Sequence, residues 1–326
     1  MDLSIIIVNW NGEQLLRRSV ESIIHNPPSA DYEIIVVDNA SSDDSLALLR
    51  ASESVIELNA RSRLRIVEND KNLGFGPANN LAFKLTDAPL LFLLNPDTEV
   101  TPGSIDRLID TVRSDPGIAA AGPRLLNADG TVQISAWRNP PAAWEILLSH
   151  LKLYKLLPRR YRGELLLGGH WDHNRERPVP MLSGAAILVR RTVIETLGGF
   201  DERFHMYGED NEWCLRMRRA GWQLLFQPGA VIIHHGAQSS LQRWTNLEKL
   251  RVQLEASFFF QRTSLPRRRV ISNQLAIYLT ASAQHLWRKL RGIDAPDLRL
   301  AKDIHLDHLK SAIFTNQRVK DQRRQR

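Results

Sequence analysis

Only one cysteine, Cys214, occurs in the 326 residues, which excludes an internal disulfide. The fold must hold without covalent staples, as suits a reducing cytoplasm. Long apolar runs are missing too. The opening "MDLSIIIVNWNG" has no basic segment ahead of a short apolar stretch, so no secretory leader is expected. Elsewhere charge interrupts every apolar stretch well short of the roughly 20 residues that span a bilayer. A cytoplasmic protein is expected, either soluble or peripheral on the cytoplasmic face of the inner membrane. Internal repeats and low-complexity linkers are also absent.

What remains is ordinary globular composition, 43% hydrophobic and 24% charged. The charge is unevenly placed. Residues 241–326 carry 18 Lys and Arg against 7 Asp and Glu, whereas the first 240 residues carry 25 against 29. The basic balance therefore belongs to the C-terminal segment. That segment faces nucleic acid, an anionic membrane or water. Nucleic acid is not expected as a partner, because neither interleaved aromatics nor a recognised reading module accompanies the charge.

The N-terminal part alternates strand and helix patterns. "LSIIIVNW", "YEIIVVDNAS", "LRIVEN", "APLLFLLN" and "GIAAAGPRLL" read as strands. Between them, "GEQLLRRSVESIIHN", "DDSLALLRAS" (capped by Ser42 or Asp43), "GPANNLAFKLT" (starting at Pro77 or Ala78) and a segment from Pro102 read as helices. Continuous apolar strands alternating with helices predict an α/β fold, its mainly parallel central sheet covered by helices on both faces. Right-handed crossovers bring the strands' C-terminal ends to one edge, where open α/β sheets bind ligands. Those ends carry Asn9-Trp10-Asn11, Asp38-Asn39, Asn69-Asp70 and Asn95-Pro96-Asp97. Turns favour Asn and Asp in any protein, yet four such ends on one edge point to a polar crevice.

From about residue 130 the pattern changes. "AWEILLSHLKLYKLLPRRY" looks helical and "PMLSGAAILVRR" reads as a strand. "GEDNEWCLRMRRAGW" reads as an amphipathic helix, and "WQLLFQPGAVIIHHG" as two short strands around Pro228-Gly229. The loop containing His170, Trp171, Asp172 and His173 lacks regular ligand spacing, and a solvated or acceptor-contacting loop is expected there rather than a metal site. The stretch "NQLAIYLTASAQHLWRKLRG" is a helix that either docks on an anionic membrane or packs ahead of a solvated basic end.

Several of these residues suit nucleotide-sugar chemistry. Asp38, with Asn9 and Asn11 on the neighbouring strand, offers acceptors and donors to a base. "NLGFGPANN" places Gly74 and Gly76 ahead of a helix N-terminus, which attracts phosphate. It is not a dinucleotide fingerprint, since Asn79 stands where the third glycine would, and no Walker lysine follows. A diphosphate bound without either loop needs a divalent cation, Mg²⁺ or Mn²⁺, and one carboxylate such as Asp97 suffices to anchor it. Asn95 would add a neutral oxygen or a hydrogen bond. Glu209 and Asp210 open a helix whose dipole is expected to keep them ionised and available as bases. Of His234 and His235, adjacent on a strand, only one can face a shared site.

Taken together, these motifs resemble the inverting family 2 glycosyltransferases, which have a GT-A-type fold. The resemblance runs from "SIIIVNWNGEQLL" through "EIIVVDNASSDDS", "NLGFGPANN", "LLNPDTEV", "LSGAAILVRR" and "GGFDERFHMYGEDNEWCLRMRRAGW" to "VIIHHGAQSS", over about residues 3–240. The rhamnosyltransferase-like branch, which builds cell-wall and surface polysaccharides, is the nearest in flavour. It implies a GT-A-type domain over 1–240, with a nucleotide-binding half to about 125 and an acceptor half over about 126–240, then a helical basic extension over 241–326. Carried over by position, Asn9, Asn11 and Asp38 hold base and ribose, and Asn72, Gly74, Phe75, Asn79 and Asn95 line the nucleotide-sugar pocket. Asp97 and His234 (or His235) bind metal, Ser183, Gly184 and Glu209 lie on the acceptor side, and Asp210 is the catalytic base. Asn95 departs from the family's Asp-x-Asp motif. The Gln-x-x-Arg-Trp signature of processive synthases is missing around Arg243-Trp244. The implied partners are a nucleotide-sugar donor and a saccharide or polyprenyl-linked acceptor. A sugar nucleotidyltransferase and a non-catalytic nucleotide-sugar binder are the alternatives.

Overall fold

The computed structural model describes residues 1–137, 141–158, 161–163, 167, 171–204, 206–236 and 245–324, the last ten by backbone alone. Two compact units divide the chain: Met1–Arg138 with Leu167–Arg243, and Asn139–Leu166 with Trp244–Arg326.

The first unit is built on β1 (Leu3–Asn9), β2 (Tyr32–Asp38), β3 (Leu64–Glu68) and β4 (Leu90–Leu94), all parallel. Every residue of β1, β2 and β4 is buried, as continuous Ile, Val and Leu runs require of strands covered on both faces. Helix α1 (Glu13–His25) buries Leu16, Val20 and Ile23, one stripe at helical spacing. Helix α2 (Ser45–Arg50) follows. The expected capping holds in part: Asp43 Oδ1 accepts from Ser45 N at 3.2 Å, while its other oxygen accepts from Glu13 N at 2.8 Å and ties α2 to α1. A separate helix, α3 (Glu53–Ala60), was not expected from the sequence. Helix α4 (Phe75–Phe83) starts two residues earlier than Pro77, with Gly74 at φ +90° making the turn into it.

Beyond β4 come β5 (Thr98–Val100), α5 (Ser104–Ser114), β6 (Ile118–Leu126) and the short β7 (Ala136–Trp137). Helix α6 (Ala143–His150) belongs to the second unit, although the sequence places it in the acceptor half. The first unit resumes with β8 (Arg177–Pro178), β9 (Met181–Leu182), β10 (Ala186–Arg190), α7 (Arg191–Leu197), α8 (Glu209–Arg219) and β11 (Gln223–His234).

The main sheet runs β3-β2-β1-β4-β10-β6-β11-β5, with β8 on β11; β7 and β9 form a second pair. It is mixed, because β10 lies antiparallel between β4 and β6. Two sequence expectations change. "PMLSGAAILVRR" splits into β9 and β10 around Ser183–Ala185. The two strands expected around Pro228-Gly229 are one, β11, whose register against β6 jumps between Gln227 and Val231 and so absorbs the Pro-Gly pair. Trp171 and His173 are buried against Phe226, with ring centroids 4.7 and 5.5 Å away, so that loop is packed rather than solvated; His170 lies outside the described residues.

The second unit gathers α6 with α9 (Asn246–Ser264), α10 (Arg267–Leu290) and α11 (Pro296–Arg324). Among the described residues, no helix is long and apolar enough to cross a membrane.

Candidate active site

Register places the first polar cluster. Asn9 pairs with Asp38 across β1 and β2, and Asp38 with Glu68 across β2 and β3, so three strand ends finish level. Asp38 Oδ1 accepts from Asn9 Nδ2 at 2.8 Å and from Ser41 Oγ at 2.6 Å, and its Oδ2 accepts from Ser41 N at 2.9 Å. Asn11, at φ +52°, donates its backbone N–H to Ser41 Oγ at 2.9 Å, and its Oδ1 accepts from Ser42 N at 2.8 Å. Asn9 is fully buried, and Gly12 packs against its Oδ1 so closely that a Cβ there would lie 2.4 Å away. Asn9 and Asp38 thus brace the loop that carries Asn11 and Ser41. Sequence reasoning missed Ser41, whose hydroxyl bridges all three.

The 69–80 segment is tied to the same edge by Asn39. Its Oδ1 accepts from Asn69 Nδ2 at 2.9 Å and Leu73 N at 3.3 Å, and its Nδ2 donates to Gly74 O at 3.1 Å. Asn72 Oδ1 accepts from Gly74 N at 2.9 Å, and Asn79 Nδ2 donates to Phe75 O at 2.9 Å, so both shape the loop. Asn80, another residue not foreseen, fastens α4 to the stretch after α7. It donates to Phe200 O at 2.9 Å and accepts from Phe200 N at 2.8 Å.

The antiparallel β10 explains how distant segments reach this edge. Ala186 pairs with Leu94, so the start of β10 meets the end of β4, and Asn95 N donates to Ala185 O at 2.9 Å. Next to it, Gly184 N donates to Asp210 Oδ2 at 3.2 Å. A Cβ on Gly184 would lie 3.3 Å from Asp210 Cβ and 3.7 Å from Phe75 Cε1, so Gly184, Asp210 and Phe75 converge. Ser183 sits one residue back, its Oγ accepting from Ala185 N at 3.2 Å.

Asp210 Oδ1 also accepts from Asn211 N at 2.7 Å and Asn211 Nδ2 at 2.9 Å, and Asn211 Oδ1 in turn accepts from Trp137 Nε1 at 3.2 Å. Burial raises the pKa of Asp210, and burial plus the Asp210 charge pushes Glu209 up to about 8. The expectation that the helix dipole holds both acids ionised is therefore corrected: desolvation outweighs a field that is worth about 1 kcal/mol at a surface. The two acids differ in support. Asp210 accepts three N–H bonds that favour its charge, whereas Glu209 Oε2 is buried without a partner among the described residues. Glu209 accordingly keeps the proton and Asp210 carries the charge.

The model of "Glycosyl transferase family 2" matches residues 4–198, more than half of the chain. The chain belongs to glycosyl transferase family 2. A second model, "Glycosyl transferase family group 2", matches residues 161–269. The chain is 33% identical over 254 residues to an N-acetylglucosaminyl-diphospho-decaprenol L-rhamnosyltransferase of Mycobacterium tuberculosis, covering 73% of this chain and 77% of that one. It is 28% identical over 222 residues to a low-salt glycan biosynthesis hexosyltransferase of Haloferax volcanii, covering 67% and 62%. The fold is similar to that of a mannosyltransferase from Pyrobaculum calidifontis solved with GDP-Man and Mn²⁺, with a TM-score of 0.58, 15% identity, and coverage of 97% and 86%. A family 2 glycosyltransferase with a GT-A-like fold is an enzyme that moves a sugar from a nucleotide-sugar donor.

A divalent cation would sit at the tip after β4. His234 Nε2 lies 3.2 Å from Asp97 Oδ1, and both side chains are largely buried. Two donors on one cation with bonds of about 2.1 Å stand about 3 Å apart, so the pair fits. The proton on His234 is set by Gln133, which sequence reasoning missed. Gln133 Nε2 donates to His234 O at 2.7 Å, and so Gln133 Oε1 faces His234 Nδ1 at 2.8 Å. Nδ1 then donates, so Nε2 is the ring nitrogen that faces the Asp97 carboxylate and the one that would ligate a cation placed between them. His235 points elsewhere, to Glu99 Oε1 at 2.8 Å. Among the described residues no group of three or more His, Cys, Asp or Glu surrounds a cation position, so of these residues Asp97 and His234 are the two that would hold it.

Cys214 takes no part; it is buried under Leu182 O and its thiol is pushed up to about 12 by burial.

Proposed function

We propose that the enzyme transfers rhamnose, with inversion, from a nucleoside-diphosphate sugar to a lipid-linked saccharide in cell-wall or surface-polysaccharide synthesis. The observation that carries this is Asp210, a buried carboxylate held by Gly184 N and Asn211 beside Phe75 and one contact away from the Asn95–Asp97 tip. Support for the donor and acceptor class comes from the mycobacterial rhamnosyltransferase, whose name specifies an N-acetylglucosaminyl-diphospho-decaprenol acceptor.

In this reading Asn11, Asn72 and Asn95 present polar groups to the donor from a frame fixed by Asn9, Asp38, Asn39 and Asn79. Asp97 and His234 would hold Mg²⁺ or Mn²⁺, which when bound stabilises negative charge on the departing diphosphate. Asp210 accepts the proton of the acceptor hydroxyl as that oxygen attacks the anomeric carbon from the face opposite the leaving group. Glu209, protonated, spares Asp210 a second buried charge at its side and offers an O–H to the acceptor. Ser183 and Gly184 line the acceptor side. The basic C-terminal region faces the membrane that carries the acceptor.

The test is transfer of radiolabelled rhamnose from dTDP-rhamnose to polyprenyl-diphospho-GlcNAc with Mg²⁺ or Mn²⁺, followed by NMR of the product's anomeric centre. Product with the configuration opposite to the donor's is expected. Retained configuration, or no transfer from any nucleotide sugar, overturns the proposal.

A further inference from the structure

Helix α10 exposes its leucines while burying polar residues. The residues it buries are Val270, Asn273, Gln274, Ala276, Thr280 and Ala281. Leu275, Leu279, Leu286 and Leu290 are 42%, 52%, 57% and 78% exposed. At about 100° per residue these four leucines fall within about 60° of one another, and Asn273 and Thr280 lie on the opposite side. The leucine stripe is about 22 Å long.

The buried polar side chains are bonded, although Asn273 Oδ1 has no partner among the described residues. Asn273 Nδ2 donates to Pro141 O at 2.9 Å, Gln274 Oε1 lies 2.7 Å from His305 Nδ1, and Thr280 Oγ1 lies 2.8 Å from His150 Nδ1. These bonds orient the helix: rotating it to bury the leucines would break them all. The outward leucines are therefore a fixed feature of this unit.

Charge indicates what covers the stripe. Helix α10 holds five Lys and Arg and no Asp or Glu. Arg268 lies on the leucine side at one end and Lys289 beside it at the other, both exposed. Trp287, 53% exposed, adds an amphipathic ring with the Arg291 guanidinium 4.0 Å from its centroid. Two copies of this helix laid together would oppose five cations to five cations without one acid. Anionic headgroups over an acyl layer match both the leucines and the flanking bases. The same unit exposes Trp144, Leu151 and Leu156 near Lys152 and Lys155, a second apolar segment of the same character.

We propose that the leucine face of α10 docks on an anionic lipid surface, inserting in its interfacial plane without crossing it. This deepens the lipid-linked-acceptor reading above and identifies the apolar stripe, rather than the basic end of the chain, as the docking element.

The experiment is flotation of the full chain with phosphatidylcholine vesicles, with and without phosphatidylglycerol, for the wild type and for Leu279→Ser combined with Leu286→Ser. Both positions are exposed, and matched circular dichroism and melting will show that the variant folds. The wild type is expected to float with the anionic vesicles only, and the variant to bind them at least about tenfold more weakly. Equal binding by both proteins, or no binding by the wild type, overturns the proposal. So does a wild-type dimer in sedimentation equilibrium that the variant converts to monomer. Transfer to a short water-soluble acceptor is measured alongside. Its absence in the wild type counts against the glycosyl-transfer reading while leaving the flotation result to stand.

Discussion

Replacing Glu209 by Gln should stabilise the protein, and by an amount that grows with pH. Glu209 holds its proton up to about pH 8 in the folded protein, against an ordinary value of 4.5. Between those values the unfolded chain has lost a proton that the native state keeps, so stability falls as pH rises and levels off above about 8. At about 1.4 kcal/mol per unit, the cost is under about 1 kcal/mol at pH 5, about 3 at pH 7 and on the order of 4 at pH 8. Glutamine has the same shape and never ionises, so it removes this slope. Urea unfolding of wild type and Glu209→Gln across pH 5 to 8, followed by circular dichroism, reads the difference. Two stability curves that stay parallel over that range would show that Glu209 is ionised in the fold, and the division of labour with Asp210 would fail.

Four other perturbations test the site. Gln133→Leu removes the group that fixes the His234 tautomer and should weaken Mn²⁺ binding about 10- to 100-fold, read by electron paramagnetic resonance titration; unchanged affinity would rule out that role. Asn95→Asp adds a carboxylate beside Asp97 and should tighten Mn²⁺ in the same titration, while EDTA should abolish transfer by the wild type. Asn80→Ala strands the Phe200 backbone N–H and C=O and should cost on the order of 2 kcal/mol in denaturant unfolding. It should also raise the KM for donor more than it lowers kcat, because it loosens the loop carrying Asn72 and Gly74.

The legible parts of this fold are those that short-range pattern dictates. The apolar runs of β1 and β4 end within a residue of where the sequence puts them and β2 ends three residues sooner, and their Asn and Asp tips do share one edge. What pattern does not carry is pairing. Nothing in "PMLSGAAILVRR" shows that its second half runs antiparallel between β4 and β6, and that reversal is what sets Gly184 against Asp210. Nothing in "VIIHH" shows the Gln133 amide, 101 residues away, that chooses between the donors of His234. Asn9 and Asp38 read as ligand groups in the sequence, but their level register makes them bond each other first. The ionisation of Glu209 departs from the sequence expectation for a related reason. A helix N-terminus is visible in a sequence, whereas the burial that outweighs its field is a property of the packed fold.

The account rests on Asp210 as the base, and the most direct measurement is the single-turnover transfer rate of Asp210→Asn alongside its affinity for the donor. Asparagine keeps the size of the side chain, its Oδ1 can still accept from Asn211, and it cannot take a proton. The rate should fall by about 10²- to 10⁴-fold while donor affinity stays close to that of the wild type. A rate within a few-fold of wild type, with the donor still bound, would contradict the account.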